Sequence, residues 1–427
     1  MKMMNRILVI CIAALLITGQ TLQGQINFTV NPAGAGMSEQ ALDRYEAFLK
    51  SEIEAKKIPG AVSLIMRKGQ IAHSDAYGYS NISTQEPMTT DKIFYIQSMT
   101  KPIISIAFMT LYEEGKFFLT DPVSKYIPEF ANLKVIQVTP NKEGETPTID
   151  YVPVKTPVQI WHLLSHTAGF SHGLGQNEYD QNLAKALYGD FLNPDSEPNA
   201  GHKTIQDRVN ALVSYPLMGQ PGEQWNYSAA PDVLCVLIEQ FTGQTPAEFL
   251  QERIFDPLGM NDTGYNVTKA NENRIASLHA VGEDGQLAYM PPWGPSRGNT
   301  IYGGTHGLFS TATDYMTFAA MLLNNGKYNG HRIIGRKTLE LMTDNHIEGL
   351  PYSPGNGFGL GFGVRTDVSD SKISGSEGIF HWGGAFNTYF FVDQEEEMVA
   401  VLMTQLFPYT NHYASKLRQF TYSAIDD

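Results

Sequence analysis

Ser98 and Lys101 stand three residues apart in Tyr95-Ile96-Gln97-Ser98-Met99-Thr100-Lys101-Pro102-Ile103-Ile104, and apolar residues continue from there to Leu111. That run predicts a buried helix. Residues three apart on a helix share a face, so the Ser98 hydroxyl and the Lys101 amine can meet. Pro102 is compatible, because the first helical N–H groups have no internal partner. The positive end of the helix dipole favours a developing alkoxide on Ser98. A lysine held among apolar residues has its charged form disfavoured, so it can stand neutral and accept the serine's proton. This short segment therefore offers a nucleophile and its base.

Tyr227 is the second candidate, in Tyr227-Ser228-Ala229 after the turn Gln220-Pro221-Gly222-Glu223 and at the start of a helical pattern. A lysine ammonium nearby would lower its phenol enough to shuttle a proton between nucleophile and leaving group. The third is His381-Trp382-Gly383-Gly384-Ala385, leading into an apolar strand. Glycines there let a substrate lie along the strand edge, and edge N–H groups can join the N–H of Ser98 in holding an oxyanion.

Other patterns compete. Ser369-Asp370-Ser371-Lys372 repeats the spacing in a polar stretch with no helix behind it, and Tyr79-Ser80-Asn81 imitates the tyrosine segment. Gly169-Phe170-Ser171-His172-Gly173 has the form of a nucleophile elbow. That motif needs a strand before it and a helix after it, whereas a helical pattern precedes it here and a loop follows. His162 and His166, with His172 nearby, have a zinc-like spacing but lack the glutamate of the zinc-protease motif, so no metal is expected.

These residues need a scaffold. Ser38 to Ile58 reads as a helix, and Ala61–Met66 with Gln70–Ala76 reads as a β-hairpin across Arg67-Lys68-Gly69. Helical patterns recur at Val158–Leu164, Val233–Ile238, Pro246–Phe255 and Asp314–Asn324, the last opened by the glycine-rich Tyr302–Gly307. Residues 175–205 read as a long surface loop with about one helical turn. From Phe358 the pattern changes to strands, at Gly359–Arg365, Gly378–Gly383, Thr388–Val392 and Met398–Gln405, before a final helix from His412 to Ile425. The expected architecture is α/β of the α+β type, an antiparallel sheet built from both termini and flanked by helices. Residues 25–100 and 330–427 would form the sheet domain, with 101–329 as an inserted, mainly helical domain.

Composition narrows the function classes. The net charge is −14, or −16 once Lys2 and Arg6 are removed, with no basic cluster, which argues against nucleic acid as a partner. Residues 1–24 read as a secretory signal: Lys2 and Arg6, then an apolar stretch Ile7–Ile17 too short to span a bilayer, then a small-residue segment. Its loss removes Cys11 and leaves Cys235 as the only cysteine, so no internal disulfide can form. An exported protein is expected, periplasmic or secreted, with no stable membrane insertion after cleavage.

Taken together, the segments resemble the serine β-lactamase and penicillin-recognising superfamily, on its class C side, and most closely the family VIII carboxylesterases. Ser98-Met99-Thr100-Lys101-Pro102-Ile103 resembles the nucleophile segment of those esterases. Leu119 to Pro128, Leu163-Leu164-Ser165-His166-Thr167-Ala168-Gly169, Asp256-Pro257-Leu258-Gly259-Met260 and Gly304 to Asp314 resemble further segments, in order, over nearly all of the mature chain. The resemblance implies a β-lactamase/transpeptidase-like fold and structural roles for the histidines of the second segment. It implies Ser98, Lys101 and Tyr227 as catalytic residues and the N–H groups of Ser98 and Ala385 as oxyanion donors. Trp382, Gly383 and Gly384 would line the substrate, with no cofactor required.

Two departures refine it. The superfamily's Tyr-x-Asn appears as Tyr227-Ser228-Ala229, which removes the side-chain amide that contacts a β-lactam or peptide. Its Lys-Thr-Gly appears as Trp382-Gly383-Gly384, so no cation waits for a substrate carboxylate. The resemblance thus implies a serine hydrolase acting on small uncharged esters. A β-lactamase or D-Ala-D-Ala carboxypeptidase is the alternative, and a non-catalytic binding protein on the same fold is a further one.

Overall fold

The computed structural model describes residues 25–139, 148–190 and 198–427. The expected signal, with Cys11, lies outside the described residues. Gly60–Arg67 (β1) is buried at every position, as a strand covered on both faces must be. It turns through Lys68-Gly69 into Gln70–Asn81 (β2). Both turn residues have positive φ, 50° and 73°, the turn whose twist matches the strands it joins.

An eight-stranded antiparallel sheet grows from this hairpin. Its further strands are Glu86–Pro87 (β3), Asn356–Phe358 (β4), Gly363–Arg365 (β5), Phe380–Gly383 (β6), Tyr389–Asp393 (β7) and Met398–Met403 (β8). The order is β4-β5-β6-β7-β8-β1-β2-β3, so β1 pairs with β8 and joins the two ends of the chain. Alternate residues of β1 face opposite layers. Ala61 and Ile65 enter a core under Glu39–Glu54 (α1) and the C-terminal helix, while Val62, Leu64 and Met66 enter the larger core. Ser38 caps α1 by accepting the Ala41 N–H, and Tyr45 of α1 shares a hydrogen bond of 3.0 Å with Ser63 on β1.

The larger core is built around Thr100–Glu113 (α2), buried from Thr100 to Leu111 as a central helix must be. Around it lie Ile160–Leu164 (α3), Glu178–Tyr188 (α4), Ile205–Ser214 (α5) and Ala230–Thr242 (α6), with α6 packed directly on α2. Ala312–Leu323 (α7) falls in the stretch assigned above to the inserted region, yet it packs on β7 and β8 of the sheet. Asn411–Ser423 (α8) completes the layer beside α1.

Four local expectations change. α4 is an eleven-residue helix where about one turn was expected. Asn177 caps it and only Asp180, Leu183 and Leu187 are buried, too sparse a stripe to stand out in polar sequence. Glycine-rich 302–307 does not open α7: the strand Phe309–Thr311 intervenes, and Thr311 caps the helix. Of the expected strand 359–365 only Gly363–Arg365 forms, because the chain turns at Gly361, whose φ of 101° suits glycine and where a Cβ would stand 2.3 Å from Ser105 Oγ. The helix from Pro246 is α-helical only to Leu250 and continues as a π-turn, Gln251–Phe255. Among the described residues no helix is long and apolar enough to cross a membrane.

Candidate active site

Ser98 sits in the 3₁₀ turn Gln97–Met99 that leads into α2, and Lys101 lies in the first turn of the helix. The turn is pinned from several directions. Ile93–Tyr95 pairs antiparallel with Phe309–Thr311, the Ile96 N–H donates to Leu308 O, and Tyr315 of α7 donates to Met99 O at 2.9 Å. Lys101 is 1 % exposed. Its Nζ lies 3.1 Å from Ser98 Oγ and donates to Thr305 O at 2.8 Å.

Tyr227 reaches the same serine from 129 residues away, donating its phenol proton to Ser98 Oγ at 2.7 Å. The loop that carries it is built on the segment after α3. Asn226 N–H donates to His166 O, His166 Nδ1 bonds Ser228 Oγ at 2.9 Å, and Ala229 N–H donates to Ser171 O. His166 is thereby a structural residue. His162 is another, its Nδ1 accepting the Gln159 N–H at 2.9 Å. Ser171, the competing serine, donates to the Asp180 carboxylate and accepts the Gly173 N–H, so its hydroxyl stabilises a turn.

Aromatic rings box in the phenol. His172 stacks on Tyr227 at 5.0 Å, and Trp225, His166 and Trp382 lie at 6.1, 5.1 and 5.6 Å between centroids. Phe358 of β4 meets Trp382 edge-on at 5.1 Å. Lys101 Nζ stands 4.5 Å from the centre of the Tyr227 ring.

Burial decides the protonation of this group. It lowers Lys101 to about 7, with the charge of Asp232 pulling the other way. Burial also raises Tyr227 well above the ordinary phenol range, and the hydrogen bond to Ser98 opposes it only in part. This reverses the expectation of a phenol lowered by a neighbouring ammonium. The lysine is itself only partly charged near neutral pH, and packing among the aromatic rings disfavours a phenolate. Tyr227 therefore keeps its phenol proton at neutral pH. His166, His172 and His306 are all pushed well below the usual imidazole range, first by burial, and stand neutral.

The Lys101 shift carries a stability prediction. The folded-state pKa of about 7 lies below the ordinary 10.5, so between those values the unfolded chain binds more protons and stability rises with pH. Wild type should gain roughly 2 kcal/mol between pH 7 and pH 9 relative to Lys101→Met, measured by urea unfolding. Parallel curves for the two proteins would refute it.

Gly384 closes the site from the sheet side. Its N–H donates to Thr388 O at 2.8 Å, and a Cβ there would stand 2.3 Å from Ile96 O, so only glycine lets the end of β6 approach the segment before Ser98. Ala385 follows, half-buried, in the turn to β7. Beyond that turn lies a cavity of about 470 Å³ lined by Tyr95, Ile275, Phe309, Phe386 and Gln405 among others. Ser98 is not among its lining residues, although Tyr95 and Phe386 border the candidate site in sequence.

Trp225, Thr305 and Phe358 join the site without having been picked out from sequence. Thr305 contributes only a backbone carbonyl, which no residue type announces.

A family model described as Beta-lactamase matches residues 43–419. The chain belongs to the β-lactamase family. Among its relatives, Esterase EstB of Burkholderia gladioli is 26% identical over 379 residues, 84% of this chain and 89% of EstB. A putative D-alanyl-D-alanine carboxypeptidase of Escherichia coli is 24% identical over 81% of this chain and 77% of its own. Among solved structures, EstCE1, a hydrolase with promiscuous acyltransferase activity, superposes with a TM-score of 0.74 at 25% identity, covering 90% of this chain and 99% of EstCE1. The protein is a serine hydrolase of the β-lactamase/transpeptidase fold.

Proposed function

We propose that this serine hydrolase is an exported esterase that cleaves small, uncharged carboxylic esters through an acyl-enzyme on Ser98. The observation that carries the reading is the meeting of Ser98 Oγ with a buried Lys101 amine at 3.1 Å and the Tyr227 phenol at 2.7 Å. Neutral Lys101 takes the Ser98 proton as Oγ attacks the ester carbonyl. The N–H groups of Ser98 and Ala385 hold the oxyanion. Tyr227 then protonates the departing alkoxide and recovers a proton from the Lys101 ammonium. Water attacks the acyl-enzyme in the reverse sense and frees the acid. Because the base must be neutral, kcat/KM should rise with pH through about 7.

Ester preference over β-lactams or peptides is supported by Trp382, half-buried against Phe358 and Tyr227 where a substrate carboxylate would need a cation. Export is supported by the leader pattern of residues 1–24.

Side-by-side turnover of p-nitrophenyl butyrate and nitrocefin tests this reading. Ester cleavage should exceed nitrocefin cleavage by roughly 10²-fold or more in kcat/KM, because unpaired recognition groups discriminate strongly. The opposite order would make the protein a β-lactamase, with Trp382 and Ala229 misread. Stoichiometric labelling by a fluorophosphonate without turnover of either substrate would favour a binding protein.

A further inference from the structure

Asp232 lies in the first turn of α6 and is 1 % exposed. Its Oδ1 accepts the Thr305 N–H at 2.8 Å, and the Thr305 carbonyl accepts Lys101 Nζ at 2.8 Å. One residue, Thr305, therefore links a buried carboxylate to the candidate base through its N–H on one side and its carbonyl on the other. The second carboxylate oxygen lies 3.5 Å from Arg208 of α5, which is 3 % exposed. Arg208 is held in turn by Asn199 Oδ1 at 2.9 Å and stands over the Tyr188 ring at 5.3 Å.

The glycines before Thr305 make this approach possible. A Cβ on Gly304 would stand 2.2 Å from Pro231 O, and one on Gly303 would meet Arg208 Nη1 at 2.9 Å and Asp232 Oδ1 at 3.0 Å. The glycine-rich stretch is thus the strip that lets Thr305 press against the start of α6 and present its carbonyl to Lys101.

We infer that Asp232 is a positioning residue for Lys101, acting through the Thr305 peptide, with Arg208 as its counter-ion. The inference rests on reading Lys101 as the base of Ser98. Two buried ions of opposite sign balance each other, and a buried carboxylate without a partner would be costly. Asp232 favours the Lys101 ammonium, and Arg208, paired with the same carboxylate, would weaken that pull and leave the amine available as a base. The other titratable groups around Lys101 are His166, His172 and His306, all held neutral by burial, and Tyr227, held as the phenol. The carboxylate and the guanidinium are therefore the charges left to set the amine.

The two partners should act in opposite directions on pH dependence. Asp232→Asn keeps the shape and an acceptor for the Thr305 N–H but removes the charge. The acid limb of kcat/KM, and of the rate at which a fluorophosphonate labels Ser98, should move down by roughly half to one pH unit. Arg208→Gln leaves the carboxylate uncompensated, and the limb should move up by a similar amount, with Arg208→Lys returning it towards wild type. Limbs that stay in place while both variants lose thermal stability would make the pair purely structural and overturn the inference. If Arg208→Gln does not fold, Asp232→Asn decides alone, and an unmoved or rising limb overturns it. A wild-type protein that neither labels nor cleaves esters would instead overturn the underlying reading of Ser98 and Lys101.

Discussion

Ser98→Ala should reduce p-nitrophenyl butyrate turnover by roughly 10⁴- to 10⁶-fold and abolish fluorophosphonate labelling. The effect is large because Ser98 Oγ is the atom at which the other two groups converge. Without it the amine has no proton to accept and the carbonyl has no nucleophile. The scaffold should survive, since the turn is held by Ile96, Met99 and Thr100 through contacts that do not use the Ser98 side chain. Lys101 keeps its bond to Thr305 O. Near-normal thermal stability with lost turnover is the expected pair of results. Turnover surviving the substitution would remove Ser98 from the mechanism. Ser171 would then need testing, although its hydroxyl already serves Asp180.

Tyr227→Phe should lower kcat by roughly 10²- to 10⁴-fold, the range for losing a positioned proton donor. KM should change little, because phenylalanine keeps the ring within the box of His172, Trp225 and Trp382. The direction of the phenol shift sharpens the expectation. Burial holds Tyr227 protonated, which fits the proposed part of giving a proton to the leaving group. An alkyl alkoxide needs that proton, whereas p-nitrophenolate leaves readily without it. The loss should therefore be much larger for butyl butyrate than for p-nitrophenyl butyrate. Equal losses on both esters would make Tyr227 a group that orients Ser98 and would assign the leaving group's proton elsewhere.

Chemistry confined to one helical turn was legible without a structure. The spacing of Ser98 and Lys101 on a helix start is local geometry, and the apolar residues after Pro102 foretold a buried amine. The hairpin at Lys68-Gly69 and the strands near the C-terminus are local in the same sense, each written in a few consecutive residues. The ordered segments from Ser98 to Ala385 were enough to point to the family that the comparison assigns.

Tertiary structure decided what depends on distant neighbours. Tyr227 is a candidate in sequence, but its meeting with Ser98 depends on the loop built on His166, and the direction of its pKa shift followed from rings contributed by separate segments. A nearby ammonium and burial among aromatic rings push a phenol in opposite directions, and only the packing shows which prevails. Asp232, Thr305 and Arg208 were invisible for a related reason. The link to Lys101 runs through a backbone carbonyl and a contact that glycines permit by lacking side chains, and neither leaves a mark in residue type. The sequence by itself pointed to the Ser98–Lys101 pair and to the family; folding determined which proton each group holds, because that depends on burial by residues far away in the chain.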